Sequence, residues 1–124
     1  MKQSVIWVDI PVRDLDRAVA FYTAVLGAPV TRQGGPGFSF GLLPHEGNGA
    51  GGCLVVPEAG ENAPSLYGPL VYLNATGRLA QAVLAVAEHG GQVLQGVHTV
   101  GPHGFRALVL DSEGNRLALH APAV

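Results

Sequence analysis

Six side chains in this 124-residue sequence could bind or transform a small molecule: Trp7, Asp9, Tyr72, Asn74, Arg106 and His120. Asp9 and His120 are an acid and a base of the kind that move protons in catalysis. Trp7 and Tyr72 offer apolar faces with polar edges. Asn74 adds an amide, and Arg106 a guanidinium that suits an anion. Each has a plainer reading. Asp9 can bond a turn or a neighbouring strand, and His120, two residues before a Pro near the chain end, can be structural or exposed. Trp7 and Tyr72 can be core filler, and Arg106 can sit in a surface ion pair. Cys53, between Gly52 and Leu54, has no cationic neighbour in sequence and reads as a buried, inert thiol. His45 and Glu46 lie in a Gly-rich turn that is either simply solvated or a lid. His98 and His103 flank a Gly-Pro turn at a spacing that matches no compact metal motif. The Gly-rich stretches fit neither a phosphate loop nor a dinucleotide fingerprint.

The elements that must position these residues follow from periodicity. Residues 5–12 alternate, with Ile6, Val8 and Ile10 on one face and Trp7 and Asp9 on the other, which predicts a strand. Asp14 suits an N-cap, Leu15, Ala18, Val19, Tyr22 and Leu26 recur at helical spacing, and Gly27 suits the stop. Short strands are expected near 29–33, 37–43 and 51–56, separated by turns, with a mobile loop over 57–65. The order then repeats. A strand at 69–74 precedes a helix through Leu79, Ala82, Val83 and Val86 that stops at Gly90-Gly91. Strands follow near 92–99, 104–110 and 116–120. By alternation, Tyr72 and Asn74 share a face with Leu70, and His120 shares one with Ala118.

Leu15 and Leu79 are 64 positions apart, as are Ala18 and Ala82, Val19 and Val83, and Gly27 and Gly91. Such a duplication implies an α+β chain of two βαβββ modules, about 1–57 and 68–124, related by a pseudo-twofold. Helices lie outside, and curved mixed sheets enclose a cleft. The length suits one domain. A composition of 48% hydrophobic and 13% charged residues argues against disorder. The net charge of −2, without a basic cluster, gives no footprint for nucleic acid or an anionic membrane. No stretch is long and apolar enough for a membrane span or a signal peptide, and the lone cysteine suits a reducing compartment, so a cytoplasmic protein is expected.

Asp14–Val30 (DLDRAVAFYTAVLGAPV), Gly51–Val56 (GGCLVV), His89–Leu94 (HGGQVL) and above all Asp111–Pro122 (DSEGNRLALHAP) carry a resemblance. The chain resembles the vicinal oxygen chelate superfamily of glyoxalases, bleomycin resistance proteins and extradiol dioxygenases over nearly its whole length. Metal-dependent members of that superfamily place His, Gln or Glu ligands at four inward strand positions. Carried over, these fall on Trp7, on Leu70 or its neighbours Pro69 and Val71, on Ala118, and within Gly51–Val56, none of which offers a His, Asp or Glu. The resemblance therefore implies the fold, no metal, no cofactor and, from the habits of relatives, a homodimer. The function expected first is binding of a small polar or aromatic molecule without a metal, through Trp7, Tyr72, Asn74 and Arg106. The alternative is an enzyme of lyase, isomerase or dioxygenase-like type, in which Asp9 and His120, or an unrecognised metal, serve proton transfer. A subunit acting mainly by association is the third reading.

Overall fold

A computed structural model describes residues 4–47 and 51–124. Residues 1–3, and residues 48–50 in the middle of the turn expected over 44–52, lie outside the described residues. The first module holds β1 (Trp7–Pro11), α1 (Leu15–Leu26), β2 (Thr31–Gly35), β3 (Phe38–Leu42) and β4 (Gly51–Val55). The second holds β5 (Val71–Asn74), α2 (Leu79–Glu88), β6 (Gln92–Thr99), a 3-10 turn (Gly101–His103), β7 (Phe105–Leu110) and β8 (Arg116–Ala121). The sheet orders are β1-β4-β3-β2 and β5-β8-β7-β6, so the modules are topologically equivalent. In each, the first strand runs parallel to the last and the other pairings are antiparallel. This is the mixed-sheet α+β pair of βαβββ units that the duplication implied.

Both helices form for identifiable reasons. Asp14 caps α1 by accepting the Arg17 amide at 3.1 Å, and Leu15, Ala18, Phe21, Tyr22 and Val25 make its buried stripe. Gly27 ends it at φ 68°, a left-handed turn that costs glycine nothing. The Arg78 guanidinium lies over Gly27 and donates to the Val25 carbonyl, so a cation from the second module caps the first module's helix. α2 buries Leu79, Ala82, Ala85 and Val86. A Cβ on Gly91 would lie 2.7 Å from the Phe21 ring and 2.4 Å from the Leu110 carbonyl, so only glycine lets α1 approach here. The buried side chains of the two modules merge into a single cluster that runs from Ile10 and Val12 through both helices to Leu117 and Leu119.

Several strand limits differ from the sequence reading. β1 starts at Trp7 because its partner β4 starts at Gly51, leaving Val5 and Ile6 exposed. β2 begins two residues late because Val30 turns into the core, its amide bonded to the Thr23 hydroxyl. β5 excludes Pro69, which has no amide to donate, and Leu70. The segment expected to be a mobile loop is tied down at its end. Ser65 accepts the Arg116 amide at 3.2 Å and donates its own amide to Asn115, and Arg116 Nε donates to the Leu66 carbonyl at 3.1 Å.

The β7–β8 turn joins the modules. Asp111, Glu113 and Asn115 are buried polar residues there, and their partners lie largely in the first module. Asp111 Oδ1 accepts the Glu113 and Asn115 amides, both at 2.8 Å, which shapes the turn from inside. Asp111 Oδ2 accepts the Tyr22 hydroxyl of α1 at 2.5 Å and the Asn115 amide group at 2.9 Å. Asn115 also donates to the Pro11 carbonyl at 2.8 Å. Glu113 accepts the Arg13 and Asp14 amides at 2.8 and 2.9 Å, the Arg17 guanidinium at 2.7 and 2.9 Å, and the Ser112 hydroxyl. A carboxylate is thus clamped onto the positive end of α1. Among the described residues no buried side-chain polar atom lacks a partner.

The Glu113 carboxyl reports this clamp. Burial pushes its pKa up, but the bonds from Arg17, the Asp14 and Arg13 amides and Ser112 outweigh burial and hold it at about 2, below the usual 4.5. A carboxyl depressed by folding stabilises the protein above its unfolded pKa and loses that contribution as pH falls through its folded value. Glu113 should therefore contribute on the order of 2–3 kcal/mol at neutral pH, fading between pH 4.5 and about 2. Urea denaturation of the protein and of Glu113→Gln checks this. Their stabilities should differ at pH 7 and converge as the pH drops through that window. A gap that stays constant down to pH 2 would contradict the clamp.

Candidate functional site

The sheet faces turned away from the helices carry the six residues. On β1, Trp7 and Asp9 point opposite to Val8 and Ile10, which face α1 and the core. The Trp7 indole donates to Asp9 Oδ1 at 2.8 Å. Asp9 pairs in register with Cys53 on β4, and the Cys53 thiol donates to the same oxygen at 3.3 Å. Burial first, then the Asp9 hydrogen bond and charge, push that thiol up to about 11, so it stays protonated at neutral pH. Next on this face come Phe40 and Phe38 of β3, stacked at 6.4 Å. Trp7 is 47% exposed and Phe38 64% exposed, which rules out a core-filling role for either ring.

The second module's face is basic where the first is acidic. Tyr72 and Asn74 on β5 pair with Ala118 and His120 on β8, and Arg106 on β7 pairs with His120 on one side and His98 of β6 on the other. Arg106 Nε donates to His98 Nε2 at 3.0 Å, and its Nη1 donates to the Tyr72 hydroxyl. The guanidinium carbon lies 5.8 Å from the centre of the Tyr72 ring, and the Tyr72 and His120 rings meet edge to face at 6.1 Å. His120 Nε2 lies 2.6 Å from the His103 carbonyl, so that nitrogen carries the proton and donates. Asn74 Oδ1 accepts the amide and hydroxyl of Thr76, which commits one end of this side chain to the turn before α2. Tyr72 is 48% exposed and so, like Trp7, is no core residue.

Asp9 and His120 are not brought together within the chain. Each is bonded inside its own module, Asp9 to Trp7 and Cys53, His120 to the His103 carbonyl. A cavity of about 1010 Å³ lies at the seam between β1 and β5, both end strands. Its walls include Val8, Ile10, Val71 and Arg78 together with two of the six residues, Tyr72 and Asn74, while Trp7, Asp9 and His120 take no part. A second cavity of about 540 Å³ is lined by Tyr72, Val100, His103 and His120.

The inner positions that hold metal ligands in metal-dependent relatives do not fit an ion here. Trp7 presents an indole N–H, a donor already given to Asp9. Ala118 is a fully buried methyl, Leu70 is aliphatic, and the β4 segment offers only the protonated Cys53. A divalent cation needs several N, O or S lone pairs converging at about 2–2.6 Å. Among the described residues no three His, Cys, Asp or Glu side chains come together in this way.

Sequence reading missed His98 as the brace of Arg106 and Cys53 as a partner of Asp9. The first was hidden because β6 shifts register twice, between Val93 and Gln95 and between Gln95 and His98, so alternation along the strand does not give its face. The second needed the parallel β1–β4 pairing, which joins residues 44 positions apart.

Known structures share this architecture. A glyoxalase/bleomycin resistance protein from Albidiferax ferrireducens T118 superposes with a TM-score of 0.75 at 19% identity, covering 96% of this chain and 98% of that one. TnmS3, an antibiotic binding protein from Streptomyces sp. CB03234, does so at 0.71 and 24% identity, over 98% and 97%. A glyoxalase I variant from Zea mays gives 0.70 at 20% identity, covering 94% of this chain but 45% of that longer one. At these identities the likeness is one of fold. A comparison with curated proteins gives no match. The family model for the Glyoxalase/Bleomycin resistance protein/Dioxygenase superfamily matches residues 4–119, and on that match, with the paired βαβββ modules, the chain belongs to this superfamily.

Proposed function

We propose that this protein binds a small polar or aromatic molecule against its inner sheet faces, using side chains and no metal. The observation that carries the reading is the state of Trp7 and Tyr72. Both rings are about half exposed, and both are held by hydrogen bonds to a charged neighbour, Asp9 and Arg106 respectively. Rings fixed in advance at an accessible face bind without a large ordering cost. Trp7 further occupies a position where metal-dependent relatives keep an ion ligand. The similarity to an antibiotic binding protein supports the same class of function.

In this reading the protein works in the cytoplasm as a homodimer. Trp7, Phe38 and Tyr72 leave large apolar surfaces open, and a second copy would cover part of them while setting one module's face near another's. The catalytic alternative, proton transfer by Asp9 and His120 on one substrate, would require that same pairing. Within a chain the two side chains are engaged in separate modules.

A thermal-shift screen of aromatic compounds and antibiotics tests the binding claim. At a ligand concentration about 100 times Kd, a native-state binder contributes about 2.7 kcal/mol and should raise the midpoint by several degrees. Trp7→Ala or Tyr72→Ala should weaken such a ligand by about fivefold, in line with the ~1 kcal/mol typical of an aromatic contact. A broad panel without a single shift, or ligands indifferent to both substitutions, would overturn the reading. Size-exclusion elution as a monomer at micromolar concentration would remove the dimer from it.

A further inference from the structure

The second module assembles a transverse polar row. His98, Arg106, His120 and Asn74 occupy register-matched positions on β6, β7, β8 and β5, on the face away from α2. No carboxylate enters it. Among the described residues the ion pairs are Arg17–Glu113 and Arg32–Asp16, so Arg106 has no acidic partner. It is nonetheless held in place. His98 Nδ1 lies 2.8 Å from the Gly96 carbonyl and so carries the ring proton, which leaves Nε2 as the acceptor for Arg106 Nε. The Tyr72 hydroxyl holds Nη1. A guanidinium has five N–H groups. Two are used in these bonds, and the three that remain, on Nη1 and Nη2, form the fork that grips a carboxylate with two parallel bonds. Beside this fork stand the Tyr72 and His120 rings and the cavity of about 540 Å³ that they line with Val100 and His103.

We infer that Arg106 is the anchor of a binding site for an aromatic carboxylate, with the carboxylate on the guanidinium fork and the ring against Tyr72 and His120. The site rests on the small-molecule reading above and narrows it to one ligand class and one module. His98 is a positioning residue, which fixes the guanidinium without touching the ligand. The arrangement favours a carboxylate over a neutral aromatic of the same shape because an unpaired, braced guanidinium gains a charge-assisted pair of bonds. It favours a flat ligand because three of the four residues lining the cavity, Tyr72, His103 and His120, present rings.

Calorimetric titration with 2-naphthoate and 2-naphthamide, which differ in charge and little in shape, tests this. The naphthoate should bind the protein at least tenfold more tightly than the amide, as loss of a hydrogen bond to a charged group implies. Arg106→Gln should weaken naphthoate by at least tenfold and the amide by much less, because both lose the brace on Tyr72 but only the acid loses the fork. Arg106→Lys, which keeps the charge but not the fork, should fall between. His98→Leu should weaken naphthoate partway, and His98→Gln, which can still accept from Nε, should restore it. Equal binding of acid and amide to the unaltered protein overturns the carboxylate assignment without relying on any variant's folding, and leaves small-molecule binding intact. No binding of either probe, while the thermal-shift panel finds other ligands, overturns this site alone. No binding of either together with an empty panel overturns both.

Discussion

The turn from Asp111 to Asn115 is the constraint on which the rest of the molecule depends. It belongs to the second module, yet its acceptors are filled by the first: the Tyr22 hydroxyl on Asp111, and the Arg13 and Asp14 amides and the Arg17 guanidinium on Glu113. Removing one partner would leave buried charge or buried donors unsatisfied, which costs more than the bond itself contributes. Arg78 provides a second tie by capping the end of α1 from the start of α2. Two modules that could otherwise move as separate units thereby share one core. The faces opposite the helices take no part in this joint and can carry chemistry.

That division explains the distribution of polar groups. The buried polar residues, Asp111, Glu113 and Asn115, serve the joint. The residues with chemical potential sit half-exposed on strands, each braced by a neighbour: Trp7 by Asp9, Arg106 by His98 and Tyr72. Bracing lowers the entropy cost of binding without filling the site. The two faces also differ in sign, with a carboxylate on the first module and a guanidinium and histidines on the second. The duplication was kept in the fold and lost in the chemistry.

Much of the architecture was legible because it rests on periodicity. The Leu15, Ala18 and Tyr22 spacing, the Asp14 cap and the Gly27 stop fix α1 locally, although Phe21 and Val25 rather than Val19 and Leu26 complete its buried stripe, and the 64-residue offset repeats the pattern at Leu79. Alternation also separates Trp7 and Asp9 from Val8 and Ile10. What the sequence hides is anything set by pairing between distant strands. The Cys53–Asp9 contact needs the parallel β1–β4 register, and the His98–Arg106 contact lies beyond two irregularities in β6. The roles of Asp111 and Glu113 as the joint were invisible for the same reason. Their partners lie about a hundred residues away, and a turn sequence alone reads as a surface feature.

The central claim is that the inner faces bind through side chains where metal-dependent relatives use an ion. Its most direct test is the metal content of the purified protein after incubation with Zn²⁺, Ni²⁺, Mn²⁺ and Fe²⁺ and removal of the excess. With an indole at position 7, a buried methyl at position 118 and a protonated thiol at position 53, no ion should be retained near stoichiometry. Retention of one ion per chain, lost on Asp9→Asn or His120→Ala, would contradict the account and make metal-assisted catalysis the leading function.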